Sequence, residues 1–370
     1  MNDSKEKKRS FRLFLQELGM VGTILVVFAL FHHVIPYALS DWEAKKLAQA
    51  ASALSTPTPA PTAAALTVAT PEPTPTPAPD ETPEPRFHPP ENATPWQLAF
   101  AEHFTDEVTL TDHSYSSPNL SLTITTHDED LGDGNVRWYV VDCYIADIHN
   151  FRSAFPYDQF KYYFEQDLLQ MMSSKNAVLG ITGDSCLRQN RALVIRNGTV
   201  YSPYPTAADY LLLFADGSMK VYEKDKTDLQ ALLAGEGDEA IYQSFHFGPS
   251  LLDETGSVRA EFSVPFDKYV LYEAAHPRCG IGYYEPGHYC LILAEGRLEH
   301  SVGVTIPQFA GLFQREGCTL AYNLDGGRTV VLGFNAERYS VQSNNASRLP
   351  SDMFYFVDDA PALAGKGDAE

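Results

Sequence analysis

The sequence predicts an α+β fold: one sheet-dominated domain with several hairpins and few helices, preceded by a transmembrane helix and a disordered linker. Three observations carry this. Short runs of β-branched and aromatic residues recur between turn residues over 96–361. Only two segments there carry helical spacing. Everything before residue 96 differs in composition, with a basic start, one apolar run and a Pro/Thr/Ala tract.

Residues 1–13 are the basic start, with Lys5, Lys7, Lys8, Arg9 and Arg12 set against Asp3 and Glu6. Residues 14–39 hold the apolar run Met20 to Phe31. Extended to Leu39, it approaches the ~20 residues a bilayer core needs. The basic flank is expected to keep the N-terminus cytoplasmic by the positive-inside rule. The chain would then be a single-pass protein of the cell membrane with an extracellular C-terminal domain. A cleaved signal peptide is the competing reading, although "AQAASA" lies far from the apolar run. Either reading exports the large domain. Residues 40–95 read as a linker, because "STPTPAPTAAALTVATPEPTPTPAP" cannot bury enough apolar surface to offset its ordering entropy. Proline biases it toward an extended spacer. Residues 362–370 read as a flexible tail.

The formal net charge of −21 argues against nucleic acid as a partner, since phosphate is repelled. The five cysteines, Cys143, Cys186, Cys279, Cys290 and Cys318, form no CxxC pair, and their odd number leaves at least one unpaired within the chain.

Within the domain, "LSLTITTHD" and "VRWYVVDCYIADI" read as strands, and "KNAVLGITGDS" as a short strand ending in a Gly-Asp turn. "RALVIRNGTVYS", "DYLLLFADGSMKVYE" and "CGIGYYEPGHYCLILAEGR" read as hairpins turning at Asn-Gly, Asp-Gly-Ser and Glu-Pro-Gly-His. "PYDQFKYYFEQDLLQMMSSK" has helical spacing through Phe160, Phe164, Leu168 and Met171. "TIPQFAGLFQREG" reads as a helix capped by Thr305 and stopped at Gly317. "AYNLDGGRTVVL" reads as a strand, a turn at Asp325-Gly326-Gly327, and a second strand.

The ordered set "AVLGITGDSC", "LVIRNGTVY", "FHFGPSLLDETG", "PRCGIGYYEPGHYCLILAEGR", "TIPQFAGLFQREGCTLAYNLDGG" and "SRLPSDMFYF" resembles the phosphodiester glycosidase family, over about Val136 to Phe356. The resemblance implies an exported hydrolase that acts on a sugar phosphodiester, here a sugar phosphate or cell-wall glycan of the envelope or exopolysaccharide. The alternative is a glycan-binding envelope protein of the same fold that no longer cuts. This chain departs from the family where Thr182 replaces Asn, Ser185 and Cys186 replace aromatic residues, and Arg328 stands where many members have Gly or Gln.

Cleaving a glycosyl phosphodiester calls for a carboxylate at the anomeric carbon and an N–H-rich or cationic pocket for the phosphate. Asp325 and Asp184 are the candidate carboxylates. Each has a local alternative, a turn in which the aspartate caps its own backbone. The candidate phosphate binders are Arg278, Arg328, the Gly326 and Gly327 amides, the Thr329 hydroxyl and Arg196. Arg348 and Asp352 match a C-terminal pair of the family and read as a structural ion pair. Gly248 and Pro249 are expected to shape the backbone beside the site. No cofactor is evident, but a divalent ion on Asp184 or Asp325 is conceivable, and His149, His276 and His300 stand isolated in the sequence.

Overall fold

The computed structural model describes residues 86–358 except 189–191, 206–208, 224–225, 236, 264–272 and 344–347. All of these lie in the C-terminal one of the two units into which the chain divides, Thr82–Glu370. The expected cytoplasmic start, the transmembrane segment, most of the linker and the tail fall outside the described residues. Among the described residues, no helix is long and apolar enough to cross a membrane. The folded unit starts earlier than composition suggested. Phe87 is buried, with its ring edge-on to Phe104 at 5.7 Å.

The strands are β1 (Thr109–Leu110), β2 (Ser114–Ser116), β3 (Leu120–Asp130), β4 (Asn135–Ile145), β5 (Phe151–Ala154), β6 (Leu179–Thr182), β7 (Leu193–Arg196), β8 (Thr199–Pro203) and β9 (Tyr210–Phe214). They continue as β10 (Met219–Tyr222), β11 (Ile241–Phe245), β12 (Arg278–Glu285), β13 (His288–Ala294), β14 (Leu320–Asn323), β15 (Leu332–Phe334), β16 (Glu337–Arg338) and β17 (Met353–Phe356). The helices are α1 (Pro95–Ala99), α2 (Leu168–Lys175), α3 (Leu229–Leu233) and α4 (Ile306–Arg315).

Two antiparallel sheets dominate. One has seven strands in the order β1-β2-β3-β4-β13-β12-β14, and the other has five in the order β16-β15-β6-β17-β5. Their facing side chains form one core, with Leu122, Val141, Ile281 and Leu291 from the first sheet and Ile181, Leu332 and Phe354 from the second. Both faces of β4 are buried, so its alternate residues serve two cores. Tyr139 and Val141 face the five-stranded sheet, while Trp138 and Val140 pack toward α4. Helix α4 covers that outer face through Phe309 and Phe313, and α2 covers the outer face of the other sheet through Leu168, Met171 and Met172. Close approach depends on missing side chains. A Cβ on Gly282 would sit 2.8 Å from Phe313, and one on Gly180 would sit 2.7 Å from Met172. The smaller sheets are β10-β9-β11 and β7-β8.

The three hairpins form as read. At the tip of β7–β8, Asn197 and Gly198 both take positive φ, 50° and 77°, as the tight turn requires. Helix α4 has the expected Thr305 cap, with a reciprocal capping box through Gln308. Two expectations fail. The helix expected over residues 156–175 is confined to α2, because Tyr157, Asp158 and Tyr163 take positive φ and Asp167 caps the helix only at Leu168. "AYNLDGGRTVVL" is not a hairpin. β14 is an edge of the seven-stranded sheet and β15 belongs to the five-stranded one, so the Asp-Gly-Gly turn carries the chain between sheets.

Candidate active site

The site is built where strand ends from the two sheets meet. After β14, Leu324 N–H donates to Cys279 O at 2.9 Å, near the start of β12. Asp325 N–H donates to Gly183 O at 3.0 Å, just past β6. The Cys279 thiol lies 3.1 Å from Asp325 O and 3.6 Å from Thr182 O. The Thr182 hydroxyl donates to Thr329 O at 2.7 Å and accepts the Val331 N–H at 3.0 Å. The departure from Asn to Thr at 182 is therefore accommodated, since this side chain pins the turn that bears Asp325.

Asp325 is 4% exposed. Its Oδ1 accepts the Gly326 N–H and its Oδ2 the Thr329 hydroxyl, both at 2.9 Å. Burial pushes its pKa up to about 6. Arg348, Thr329 and the Gly326 N–H pull the other way, and Asp352 adds to the rise. Arg188 stands near both charges and is ion-paired with Glu165. Burial and then Arg348 lower its pKa, while Asp325 works against that. The Nε of Arg348 is buried without a hydrogen-bond partner among the described residues. The result is a carboxyl with its pKa raised to about 6, within the influence of two guanidinium groups.

Beneath it lies a closed ion network. Asp184 is fully buried, and its carboxylate accepts the His246 N–H at 3.0 Å, the Phe247 N–H at 2.7 Å and Arg196 Nη2 at 3.2 Å. His246 Nδ1 lies 2.6 Å from Asp184 Oδ2, close enough for an ion pair when protonated but badly angled for a hydrogen bond. The same Arg196 nitrogen reaches Asp352 Oδ2 at 3.1 Å, and that oxygen also accepts the Asp184 N–H at 3.0 Å. Burial opposes ionisation of Asp184, but His246, Arg196 and the Phe247 N–H outweigh it and hold the group below the ordinary carboxylate range. Burial likewise opposes the charge on Arg196, and its anionic neighbours, Asp352 and Asp184 among them, more than restore it. Gly183 has no room for a side chain, because a Cβ would lie 2.5 Å from Asp352 Oδ2.

Several expected roles need correction. Asp184 and Arg196 are buried in this network, Asp184 bonded to Arg196 and to backbone N–H groups, and Arg196 to Asp184, Asp352 and the carbonyls of Ile195 and Ser244. Asp184 is likewise surrounded by donors rather than open to a cation. Among the described residues, no group of three or more His, Cys, Asp or Glu side chains is placed to hold a metal ion. Asp352 pairs with Arg196 rather than Arg348. The Gly326 and Gly327 amides are not free anion donors, since they donate to Asp325 Oδ1 and to Pro277 O. The Thr329 hydroxyl is spent on Asp325. Arg278 is buried on the opposite side of β12 from Cys279, donating to Val304 O at 2.7 Å and Ala274 O at 3.1 Å. Burial and then Arg297 push its pKa down to about 9. Arg328 is exposed at the rim. Gly248-Pro249 is a cis peptide, with Gly248 O accepting Asn323 Nδ2 at 2.7 Å.

Asp184, Arg278 and Asp325 thus sit on three adjoining strand ends, but their side chains go different ways. Sequence reasoning passed over His246, Arg188 and Arg297. The first lies in the quoted "FHFGP" segment, and the last closes the "LAEGR" hairpin.

Residues 175–357 match the family model described as phosphodiester glycosidase. The chain is 32% identical over 169 residues to an uncharacterized SPbeta prophage-derived protein, YomE, of Bacillus subtilis (strain 168). That alignment covers 44% of this chain and 25% of that protein, so the chain spans about a quarter of its relative's length. Among solved structures, the catalytic domain of zebrafish N-acetylglucosamine-1-phosphodiester alpha-N-acetylglucosaminidase, auto-inhibited by its pro-peptide, superposes with a TM-score of 0.53 at 15% identity. The superposition covers 68% of this chain and 88% of that one. At that identity the likeness is one of fold.

Proposed function

We propose, from the match of residues 175–357 to the phosphodiester glycosidase family model, that this domain hydrolyses a glycosyl phosphodiester. The observation that carries the reading is Asp325, a nearly buried carboxyl with its pKa raised to about 6, near Arg348 and Arg188. In this reaction the bond between the anomeric carbon and a phosphate oxygen breaks, the phosphomonoester leaves, and water adds at the carbon. Phosphate is a fair leaving group, so the main demands are charge stabilisation and activation of water. The ionised Asp325 stabilises the oxocarbenium-like centre and takes the proton from water. The two guanidinium groups offset the charge that builds on the departing phosphate. Asp184, Arg196, Asp352 and His246 hold the turn and do not touch the substrate.

The envelope setting is part of the same proposal. The basic start, apolar run and proline-rich spacer support a membrane-anchored extracellular domain that works on a cell-envelope glycan or exopolysaccharide. A second reading, glycan binding without cleavage, is favoured by one observation: the second candidate carboxylate, Asp184, is enclosed.

The test is to incubate the purified chain with methyl N-acetylglucosamine 1-phosphodiester and measure free sugar and methyl phosphate. Release of both supports hydrolysis. Saturable binding with no release would support the second reading instead.

A further inference from the structure

A second cationic group lies along the Gly326–Gly327 turn. Arg297 follows β13 in the left-handed region, at φ 58°, a conformation a non-glycine residue adopts at a cost. Its Nη2 donates to His276 Nδ1 at 2.9 Å, which fixes the guanidinium in place. Its Nη1 lies 3.5 Å from where a Cβ on Gly327 would stand, an ordinary contact distance, so the guanidinium lies against the turn. The next residue is Arg328, which is exposed. Burial, and then the charge of Arg328, lower the Arg297 pKa.

Among the described residues, neither Arg297 nor Arg328 takes part in an ion pair, whereas Arg137, Arg188, Arg196, Arg315 and Arg338 all do. The acid nearest in sequence to Arg297 with a buried side chain is Glu295, and it is committed to the Tyr139 hydroxyl, the Val341 N–H and His300. Acidic residues outnumber Lys and Arg by 48 to 27 in this chain. In such a protein, two neighbouring guanidiniums with no carboxylate partner among the described residues, one of them held in a costly backbone conformation, are suited to an anion from outside. Arg297 and Arg328 stand on the loops that follow β13 and β14, whereas Arg188 and Arg348 stand on those that follow β6 and β16.

We propose that Arg297 and Arg328 form a second anion subsite, which holds the neighbouring phosphate of a chain of glycosyl phosphodiester units while Arg188 and Arg348 face the phosphate being released. This inference rests on the proposed activity and narrows its substrate to one carrying repeated phosphates. Arg328, where the sequence leaves its relatives, then sets specificity and does not block the site.

The test compares kcat/KM for methyl N-acetylglucosamine 1-phosphodiester, which carries one phosphate, with that for a two-unit oligomer carrying two. The wild-type chain is expected to prefer the two-phosphate substrate by roughly 10-fold or more, and Arg328→Gln and Arg297→Gln each to cut that preference about 10-fold. Arg328 is exposed, so its variant reports even where Arg297→Gln disturbs the turn. No preference in the wild type, or an unchanged preference in Arg328→Gln, would overturn the subsite. If neither substrate is cleaved, the activity reading fails, and calorimetric titration with inorganic phosphate still decides the subsite. Loss of one bound phosphate in the double variant supports it, and unchanged stoichiometry and affinity contradict it.

Discussion

At Asp325, burial sets the charge of a single carboxyl, and with it the activity proposed for that group, against the stability of the fold. Its folded pKa of about 6 lies above the ordinary 3.8. Between those values the folded state binds the extra proton, so this group's contribution to stability is present below the ordinary value and is lost as pH rises toward 6. Ionised at pH 7, it costs the fold roughly 3 kcal/mol relative to an unshifted carboxyl. Urea unfolding of Asp325→Asn is therefore expected to show equal or higher stability than wild type at pH 7, with the wild type's loss between pH 4 and 6 reduced. A variant clearly less stable than wild type at pH 7 would mean that the carboxylate is held for the fold. Asp184 is the opposite case. Its pKa is depressed, so its contribution is present above the ordinary value and disappears as pH falls through the folded value. Asp184→Asn removes one of the two carboxylates on the buried Arg196 and the acceptor of the His246 and Phe247 N–H groups, and should cost about 3 kcal/mol in the same experiment. A loss under 1 kcal/mol would remove the network from the account.

The elements that could be read from sequence were those whose cause is local. Asn197-Gly198 specifies the β7–β8 turn by itself, and Thr305 with Gln308 specifies the start of α4. Other elements were illegible because their partners are distant. The apolar spacing through Phe160 and Phe164 imitates a helix, but these rings pack with Phe155, Cys186 and Leu187, and left-handed residues break the segment. The Asp-Gly-Gly turn looks like a hairpin because the strands on either side are adjacent in sequence. β15 instead pairs with β6 and β16. The site was half legible. Asp325 was found by its turn, and the resemblance pointed to it as well. The Asp184–Arg196–Asp352–His246 network was not, because hydrogen bonds spanning 12, 62, 156 and 168 residues leave no local pattern. Burial also reversed the expected role of Arg278, which became a strut between backbone carbonyls.

At the scale of the molecule, two stacked sheets with a helix on each outer face hold three strand ends at one point, and the candidate site lies there. The fold extends toward the N-terminus past the boundary that composition suggested, and Phe87 marks the difference. Phe87→Ala removes a buried ring from its contact with Phe104 and should lower the unfolding free energy by about 3 kcal/mol. No change would return residues 86–95 to the linker. The proposed anionic substrate has to be met by local cationic groups, because the chain as a whole carries a net charge of −21. Arg188, Arg297, Arg328 and Arg348 stand on the loops that follow β6, β13, β14 and β16, and of these only Arg188 has an ion-pair partner among the described residues. The role proposed for Asp325 is that of the reacting carboxyl of a glycosyl phosphodiester hydrolase. The most direct test is the rate of sugar release from methyl N-acetylglucosamine 1-phosphodiester by wild type and Asp325→Asn across pH 4 to 9, with folding checked by circular dichroism. The account predicts a wild-type kcat/KM that rises through about pH 6, and a variant that stays folded but is slower by roughly 10²–10⁴-fold at every pH above that. A folded variant that matched the wild type in rate and pH profile would contradict it.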